Sequence, residues 1–443
     1  MDRNSTPQAS VVIATFNRAD TVVRTLTALA RQSVAAGTFE VVLVSDGCVD
    51  DTVARASAME LPYPLTIVEQ ENGGPALARN TGARSARAEL LIFLDDDINA
   101  APDFVASHLA RHRNAVRHPL VVIGYLPTRL ATQSGLYASA LRGWWETIFD
   151  RMAEPGHRFT YRDLLSGNFS LPAALFRQLG GFETELRCHE DYELGYRLIE
   201  AGACFSFSRE ASGVHEERTD FARSLRRQYD EGVANVWLAR RYPPLTRTLR
   251  LGNFHWSRIS RLAQRLAFTS PRLAALLAGG THVLLGIADR LRLRRVWRRL
   301  SDLLLMHNYW RGVVAGADGR EELLRLIAAS EQSYNDDHAP LVIDLQDGVE
   351  AAEQVLDARR PHGIVLKWGR NIIGTVPADP GREQLHAGYL RPLLCRDFAD
   401  EYLRAAGLQA VQDGGHGRSA LAPSETAPST GAVAPSDRHV PAR

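Results

Sequence analysis

The first hundred positions alternate between short apolar runs and segments with helical spacing. Ser10–Ala14, Phe39–Val44 and Leu65–Val68 are short, mostly apolar stretches, and the run that ends at Leu94 is a continuous apolar one bounded by polar residues. Runs of that length read as inner strands, buried on both faces. Between them, 20–32 carries apolar residues at helical spacing, Asp50-Asp51 opens another helix, and Asn72-Gly73-Gly74-Pro75 leads into one that continues to about Arg87. A β-α-β-α-β-α-β alternation predicts an α/β fold with a mostly parallel sheet and helices on its faces. Right-handed crossovers then bring the carboxyl ends of all four strands to one edge of the sheet.

The fourth strand runs directly into Asp95-Asp96-Asp97. Three adjacent carboxylates repel one another unless a cation sits among them. Hard divalent ions such as Mg²⁺ and Mn²⁺ favour oxygen ligands and keep positions open for phosphates. The carboxyl edge of a parallel sheet is also where open α/β folds bind ligands. A plainer account makes Asp97 or Asn99 the N-cap of a helix over 102–117. A cap needs one acid, however, and three are present. The predicted topology gathers Asn17, Asp46, Arg79 and Asp95–Asp97 at that edge.

Seven segments in order resemble the family 2 glycosyltransferases. They are Val11–Arg18, Val44–Thr52, Asn72–Asn80, Phe93–Asp97, Gly167–Leu171, Gly180–Phe182 and His189–Leu198, and the resemblance covers about residues 8–220. It implies a nucleotide-sugar-binding GT-A domain, a divalent metal (Mn²⁺ or Mg²⁺) and an inverting transfer to an acceptor hydroxyl. Asp46 matches the acid that hydrogen-bonds the nucleobase, although Ser45-Asp46-Gly47-Cys48 stands where many members have Asp-Asp-Gly-Ser. Thr15 and Asn17 match the loop lining the nucleoside pocket, with Phe16 replacing the usual proline. Arg79 matches a basic residue close to the nucleotide, and Arg18 and Asp96 are assigned to the same nucleotide-sugar site. Asp95 and Asp97 match the two acids of the DxD motif, the first near the ribose and the last on the metal. Asp191 matches the general base of the Glu-Asp pair, with Glu190 the next candidate. His215 matches a histidine near nucleotide and metal, and is expected as a third metal ligand.

The chemistry of these roles stands on its own. A diphosphate leaves slowly unless its charge is neutralised, which a metal does as a Lewis acid. An acceptor hydroxyl is a poor nucleophile near neutral pH, and a carboxylate within hydrogen-bond reach can take its proton. Glu190-Asp191 also reads as an acidic pair stabilised at a helix start. The two readings are compatible, although the dipole should lower the pKa of the base. His215 is expected shortly after an apolar strand over Ala203–Phe207. His189 is a supporting or acceptor-side candidate. Trp144 and Trp145, on a predicted helix, fit sugar stacking or core packing equally well.

Composition refines this picture. The 443 residues are 45% hydrophobic with a formal net charge of +1, enough for one large core and a smaller one. Charge is uneven: residues 221–300 hold 17 arginines against Asp230, Glu231 and Asp289, and Lys367 is the only lysine. The four cysteines form no paired framework, and no charged-then-apolar leader opens the chain. A reduced cytoplasm is therefore expected.

Four regions follow: a catalytic domain over 1–220, an arginine-rich helical region over 221–330, a small α/β module over 331–407 and a disordered tail over 408–443. In the second, Leu273–Ile287 is apolar but interrupted by Gly279-Gly280-Thr281-His282, and it falls short of a typical membrane span. The preferred expectation is a helical subdomain that packs on the catalytic domain. The alternative is an amphipathic surface that lies peripherally on the inner face of the cytoplasmic membrane. No recognition motif for nucleic acid is present. In the third region, Leu341–Leu345 and a hairpin over Gly363–Val376 are expected.

The expected activity is transfer of a sugar from a nucleotide-sugar, with UDP preferred, to a glycan, lipid-linked or small-molecule acceptor. A nucleotidyltransferase would carry a Gly-rich basic loop after the first strand, and Thr15-Phe16-Asn17-Arg18 lacks one. A non-catalytic nucleotide-sugar-binding scaffold would not need Asp95, Asp97 and Asp191 together.

Overall fold

The computed structural model describes residues 6–115, 119–130, 135–217, 219–252, 258–332 and 338–413. The tail expected to be disordered lies almost wholly outside these residues. The first half runs β1 (Ala9–Thr15), α1 (Ala19–Leu29), β2 (Phe39–Asp46), α2 (Thr52–Ser57), β3 (Leu65–Gln70), α3 (Gly74–Ser85) and β4 (Leu90–Leu94). These four strands pair in parallel in the order β3-β2-β1-β4. All of β2 and β4 is buried; β4 is an unbroken apolar run, and in β2 the buried Glu40 accepts from Ser10 Oγ and Arg87 Nε. The α/β class with a mostly parallel sheet is the one observed.

The sheet continues through strands that the alternation did not order. After β5 (Ile98–Ala100), α4 (Phe104–Arg113), β6 (Leu120–Tyr125), β7 (Thr128–Leu130) and α5 (Leu136–Met152), the chain enters β8 (Asn168–Pro172). β8 lies antiparallel between β4 and β6, with Asn168 opposite Leu94. Reversal puts the start of β8, rather than its end, beside the carboxyl end of β4. Phe93 stacks on Phe169 across that pair at 4.9 Å. A buried polar network pins β8: His108 shares hydrogen bonds with Ser170 Oγ (2.8 Å) and Asn168 Oδ1 (2.9 Å), and Asn168 Nδ2 donates to Ala211 O at 2.9 Å. Burial pushes His108 down to about 3, so it is neutral.

Next come α6 (Ala173–Gln178), α7 (Glu190–Glu200) and β9 (Cys204–Glu217). β9 is far longer than the apolar run Ala203–Phe207. It pairs with β6, and its second half pairs with β5 and β7. Hydrogen bonding carries it past the end of its hydrophobic stretch. The plainer account of the triplet as a helix cap, set aside in the sequence, is not what the structure shows. α4 begins at Phe104, Asn99 Nδ2 donates instead to Glu216 Oε1 at 2.9 Å, and neither Asn99 nor Asp97 caps it.

The C-terminal half begins with α8 (Phe221–Arg241), α9 (Arg258–Thr269), α10 (Pro271–Arg290), α11 (Arg294–Gly316) and α12 (Arg320–Gln332). Val236, Trp310 and Val313 join the same core as the sheet, so α8 and α11 pack directly on the N-terminal half. α10 is one continuous helix. Gly279-Gly280 does not break it, because helix glycines carry an energy cost but no steric barrier. A separate sheet, β10 (Leu341–Asp344), β11 (Ile364–Trp368) and β12 (Asn371–Val376), carries its own core, with the expected hairpin between β11 and β12.

Candidate active site

Three strand ends and one helix start build the site. β1 ends at Thr15, whose Oγ1 donates to Asp96 Oδ2 at 2.7 Å. Arg18, in the turn that follows, reaches Asp96 Oδ1 at 2.8 Å and Asp97 Oδ2 at 2.9 Å. Thr25 Oγ1 donates to the Asp96 backbone carbonyl at 2.7 Å. The carboxylate triplet is thus held by groups far upstream in the chain. Asp95–Asp97 line a cavity of about 320 Å³ with Thr15, Arg18, Asp46 and Arg79.

Asp46 closes the β2 end. Its Oδ1 accepts from Gly73 N and Gln70 Nε2, both at 2.8 Å, and its Oδ2 accepts from Gly74 N at 2.9 Å. A carboxylate on the amides at the start of α3 is a helix N-terminal anion. Asp46 therefore has a structural role as well as a place on the cavity wall. Asn17 is different. It adopts φ 53°, and its Oδ1 accepts from Val49 N at 2.8 Å, so it braces the 47–50 loop; it is not among the residues lining the cavity.

Arg79 is the buried hinge of the site. Its Nη2 donates to Asp95 Oδ1 at 2.7 Å and its Nη1 to Glu190 Oε1 at 3.0 Å. Burial works against its charge, but Asp95 and Glu190 outweigh that and raise its pKa above the ordinary arginine value. Glu190 is consequently a structural partner of Arg79, and Asp191 is the carboxylate left with weaker partners. Asp191 Oδ2 accepts from Ser166 N at 3.4 Å. The next residue, Gly167, accepts from Asp95 N at 3.1 Å. A Cβ at Gly167 would lie 2.9 Å from Asp95 Oδ2, which accounts for the glycine. One loop thereby brackets Asp95 and Asp191, and the sequence did not single out Ser166.

The electrostatics separate the acids. Burial, then the neighbouring Glu190, push Asp191 up to about 7, with Arg227 opposing. The helix dipole was expected to lower it, and burial beside a second carboxylate wins. Burial and Asp95 push Asp97 up to about 6, while His215 and Arg18 oppose. His189 adopts φ 63° at the start of α7 and stacks on Tyr192 at 4.3 Å. Burial first, with Arg227 adding to it, pushes His189 down to about 3, so it supports the turn as a neutral ring.

His215 sits within β9, opposite Ile98, and not in a loop after the strand. Its Nε2 is 3.6 Å from Asp97 Oδ1. That oxygen is buried and has no hydrogen-bond partner among the described residues. Trp145 meets the His215 ring edge-on at 5.8 Å, whereas Trp144 is half exposed. A carboxylate oxygen without a donor, facing an imidazole nitrogen beside two more acids, is a donor set that fits a divalent cation. Of the expected ligand set, the structure brings Asp97 and His215 together, while Asp95 Oδ1 is held by Arg79.

Comparisons with known proteins point in one direction. Residues 10–154 match the family described as Glycosyl transferase family 2. A validoxylamine A glucosyltransferase of Streptomyces hygroscopicus subsp. jinggangensis is 36% identical over 244 residues, 48% of this chain and 57% of that one. An uncharacterized glycosyltransferase of Bacillus subtilis is 27% identical over 276 residues, 52% of this chain and 69% of that one. A mannosyltransferase of Pyrobaculum calidifontis, solved with GDP-Man and Mn²⁺, aligns over 70% of this chain and 88% of its own at 22% identity, with a TM-score of 0.48. The chain spans little more than half the length of the first of these relatives. Over residues 10–154 the chain is therefore similar to glycosyl transferase family 2.

Proposed function

We propose that this protein transfers a sugar from a nucleotide-sugar, with UDP the preferred nucleotide, to an acceptor hydroxyl with inversion at the anomeric carbon. The observation that carries the reading is the division of labour among the acids. Asp95–Asp97 cluster beside His215, while Asp191 stands apart on α7 with a raised pKa. Two carboxylate environments, one beside an imidazole and one at a helix start next to Glu190, suit two chemical roles.

Asp95, Asp97 and His215 would hold a Mn²⁺ or Mg²⁺ ion, which when bound neutralises charge on the departing diphosphate. Arg18, partly exposed beside Asp96 and Asp97, is placed to exchange its carboxylate partners for phosphate oxygens. Thr15, Asp46 and Arg79 shape the wall on which the nucleoside rests. Asp191 takes the proton from the acceptor hydroxyl as the new glycosidic bond forms. One loop ties both acids, Asp191 through Ser166 N and Asp95 N through the Gly167 carbonyl, and the acceptor attacks from the face opposite the leaving group. One displacement from that side inverts the anomeric carbon.

The glucosyltransferase relative makes UDP-glucose the first donor to test. Four free cysteines support action in a reducing compartment. The deciding experiment incubates the protein with a panel of nucleotide-sugars, with and without Mn²⁺. Release of nucleoside diphosphate is measured, and the anomeric configuration of the product is read by NMR. Metal-dependent diphosphate release with inverted product is expected. Pyrophosphate release from a nucleoside triphosphate, with no turnover of nucleotide-sugars, would mark a nucleotidyltransferase instead.

A further inference from the structure

α10 is apolar on two opposite faces, and only one of them is covered. Ala274, Ala278, Thr281, Leu285 and Ala288 recur at intervals of three and four, and three of the five are buried. Leu285 and Ala288 pack on Trp297 and Leu304 of α11. The other face presents Leu273, Leu276, Val283, Leu284 and Ile287, and all five are exposed, Leu276 by 73% and Val283 by 66%. A helix of a water-soluble surface keeps its polar stripe outward. Here leucines and valine stand in that place. The expectation that this segment falls short of a membrane span is corrected: as the 20-residue helix Pro271–Arg290, α10 could cross a bilayer by length and composition, yet it packs along α9 and α11.

The charges nearest that face are basic, and the single acid of α10, Asp289, accepts from Leu136 N. Arg272 precedes the stripe, and all six arginines between positions 290 and 299 are exposed. Among the described residues, none of the six is in an ion pair. No acid occurs between Arg290 and Ser301. A second copy of the chain seated on this face would bring two such arginine sets into one interface. An anionic lipid surface accepts both features at once: the leucines enter the boundary of the acyl region and the guanidinium groups meet phosphate headgroups.

We infer that the exposed face of α10, with the arginines of the α10–α11 junction, docks this protein peripherally on an anionic membrane. This reading is independent of the proposed transfer activity, because it involves none of the residues of the candidate active site.

The test is co-sedimentation of the full chain with vesicles of phosphatidylcholine alone and of phosphatidylcholine with phosphatidylglycerol, at low and high salt. Binding to the anionic vesicles at low salt, weakened at high salt, is expected. Leu276→Glu with Leu284→Glu, and separately Arg294→Glu with Arg295→Glu and Arg298→Glu, should each reduce that binding by about tenfold or more. All five positions are exposed, so the melting temperature should hold. A further variant, Leu284→Trp, keeps the face apolar, and the fluorescence of its added indole should shift to the blue on anionic vesicles. Equal binding to neutral vesicles, absence of binding to anionic ones at low salt, or an unshifted emission from the sedimented Leu284→Trp variant would overturn the inference. So would a dimer dispersed by the glutamate pair in a protein that ignores vesicles.

Discussion

Arg79 and Glu190 meet at 3.0 Å across 111 positions of sequence, and the same guanidinium holds Asp95 at 2.7 Å. The Arg79 side chain is 8% exposed and that of Glu190 10%. One buried cation therefore couples the acidic edge of the sheet to the helix start that carries Asp191. That bridge makes the site rigid and suggests where it should fail.

Arg79→Met removes the bridge and leaves Glu190 buried without its partner. Breaking a buried pair from one side costs about 3 kcal/mol. Thermal unfolding should show a clearly lowered midpoint. Glu190→Gln in the same background should recover part of it, since the uncompensated charge is then gone. An Arg79→Met protein as stable as the parent would mean that the pair carries no energy.

Asp97 sits among like charges with an unpartnered oxygen, so in the absence of metal it opposes folding. Asp97→Asn should leave the metal-free protein equally stable or more so. The same substitution should abolish the extra stabilisation that UDP gains from Mn²⁺, a shift of a few kcal/mol at saturating ligand. Both effects are read by thermal shift. Metal-dependent stabilisation that survives the substitution would remove Asp97 from the cation site.

Asp191→Asn is nearly isosteric. Loss of a general base costs about 10²–10⁴-fold in rate. The deficit should fall on kcat, with KM for the donor little changed, because the base is needed only as the acceptor reacts. Near-normal turnover would transfer the role to another group.

The rate should also depend on pH in a defined direction. An acid held near 7 is largely protonated below about pH 6, and a protonated carboxyl cannot accept the acceptor's proton. Turnover should rise with pH through about 7 and then level off. Glu190 raises Asp191, so Glu190→Gln should move the rise to lower pH. Arg227 opposes that effect, so Arg227→Gln should move it to higher pH. A limb unmoved by both substitutions would belong to a different residue.

Much of this architecture is local and was therefore legible. An unbroken run such as Leu90–Leu94 can be satisfied only by burial on both faces, and the acids that follow it must then emerge at the sheet edge. Thr15, Asp46 and the triplet meet in one cavity because parallel strands with right-handed crossovers end on the same side. The Glu-Asp pair likewise announces a helix start, which α7 supplies.

Side-chain direction and long-range pairing are not local, and there the tertiary structure decided. Asn17 turns away to hold the 47–50 loop because its backbone is left-handed. His215 belongs to a strand whose polar end is held by β5 and β7 and has no hydrophobic periodicity to reveal it. The reversal of β8 depends on a network from His108 to Asn168 that no spacing encodes. Asp191 is raised, although its helix position alone would lower it, because burial beside Glu190 depends on what the rest of the chain packs around them. The sequence by itself determined which acids stand at the edge of the sheet. Only the fold decided which of them are paired and which are buried beside a second acid, since pairing and desolvation arise from neighbours far away in the chain.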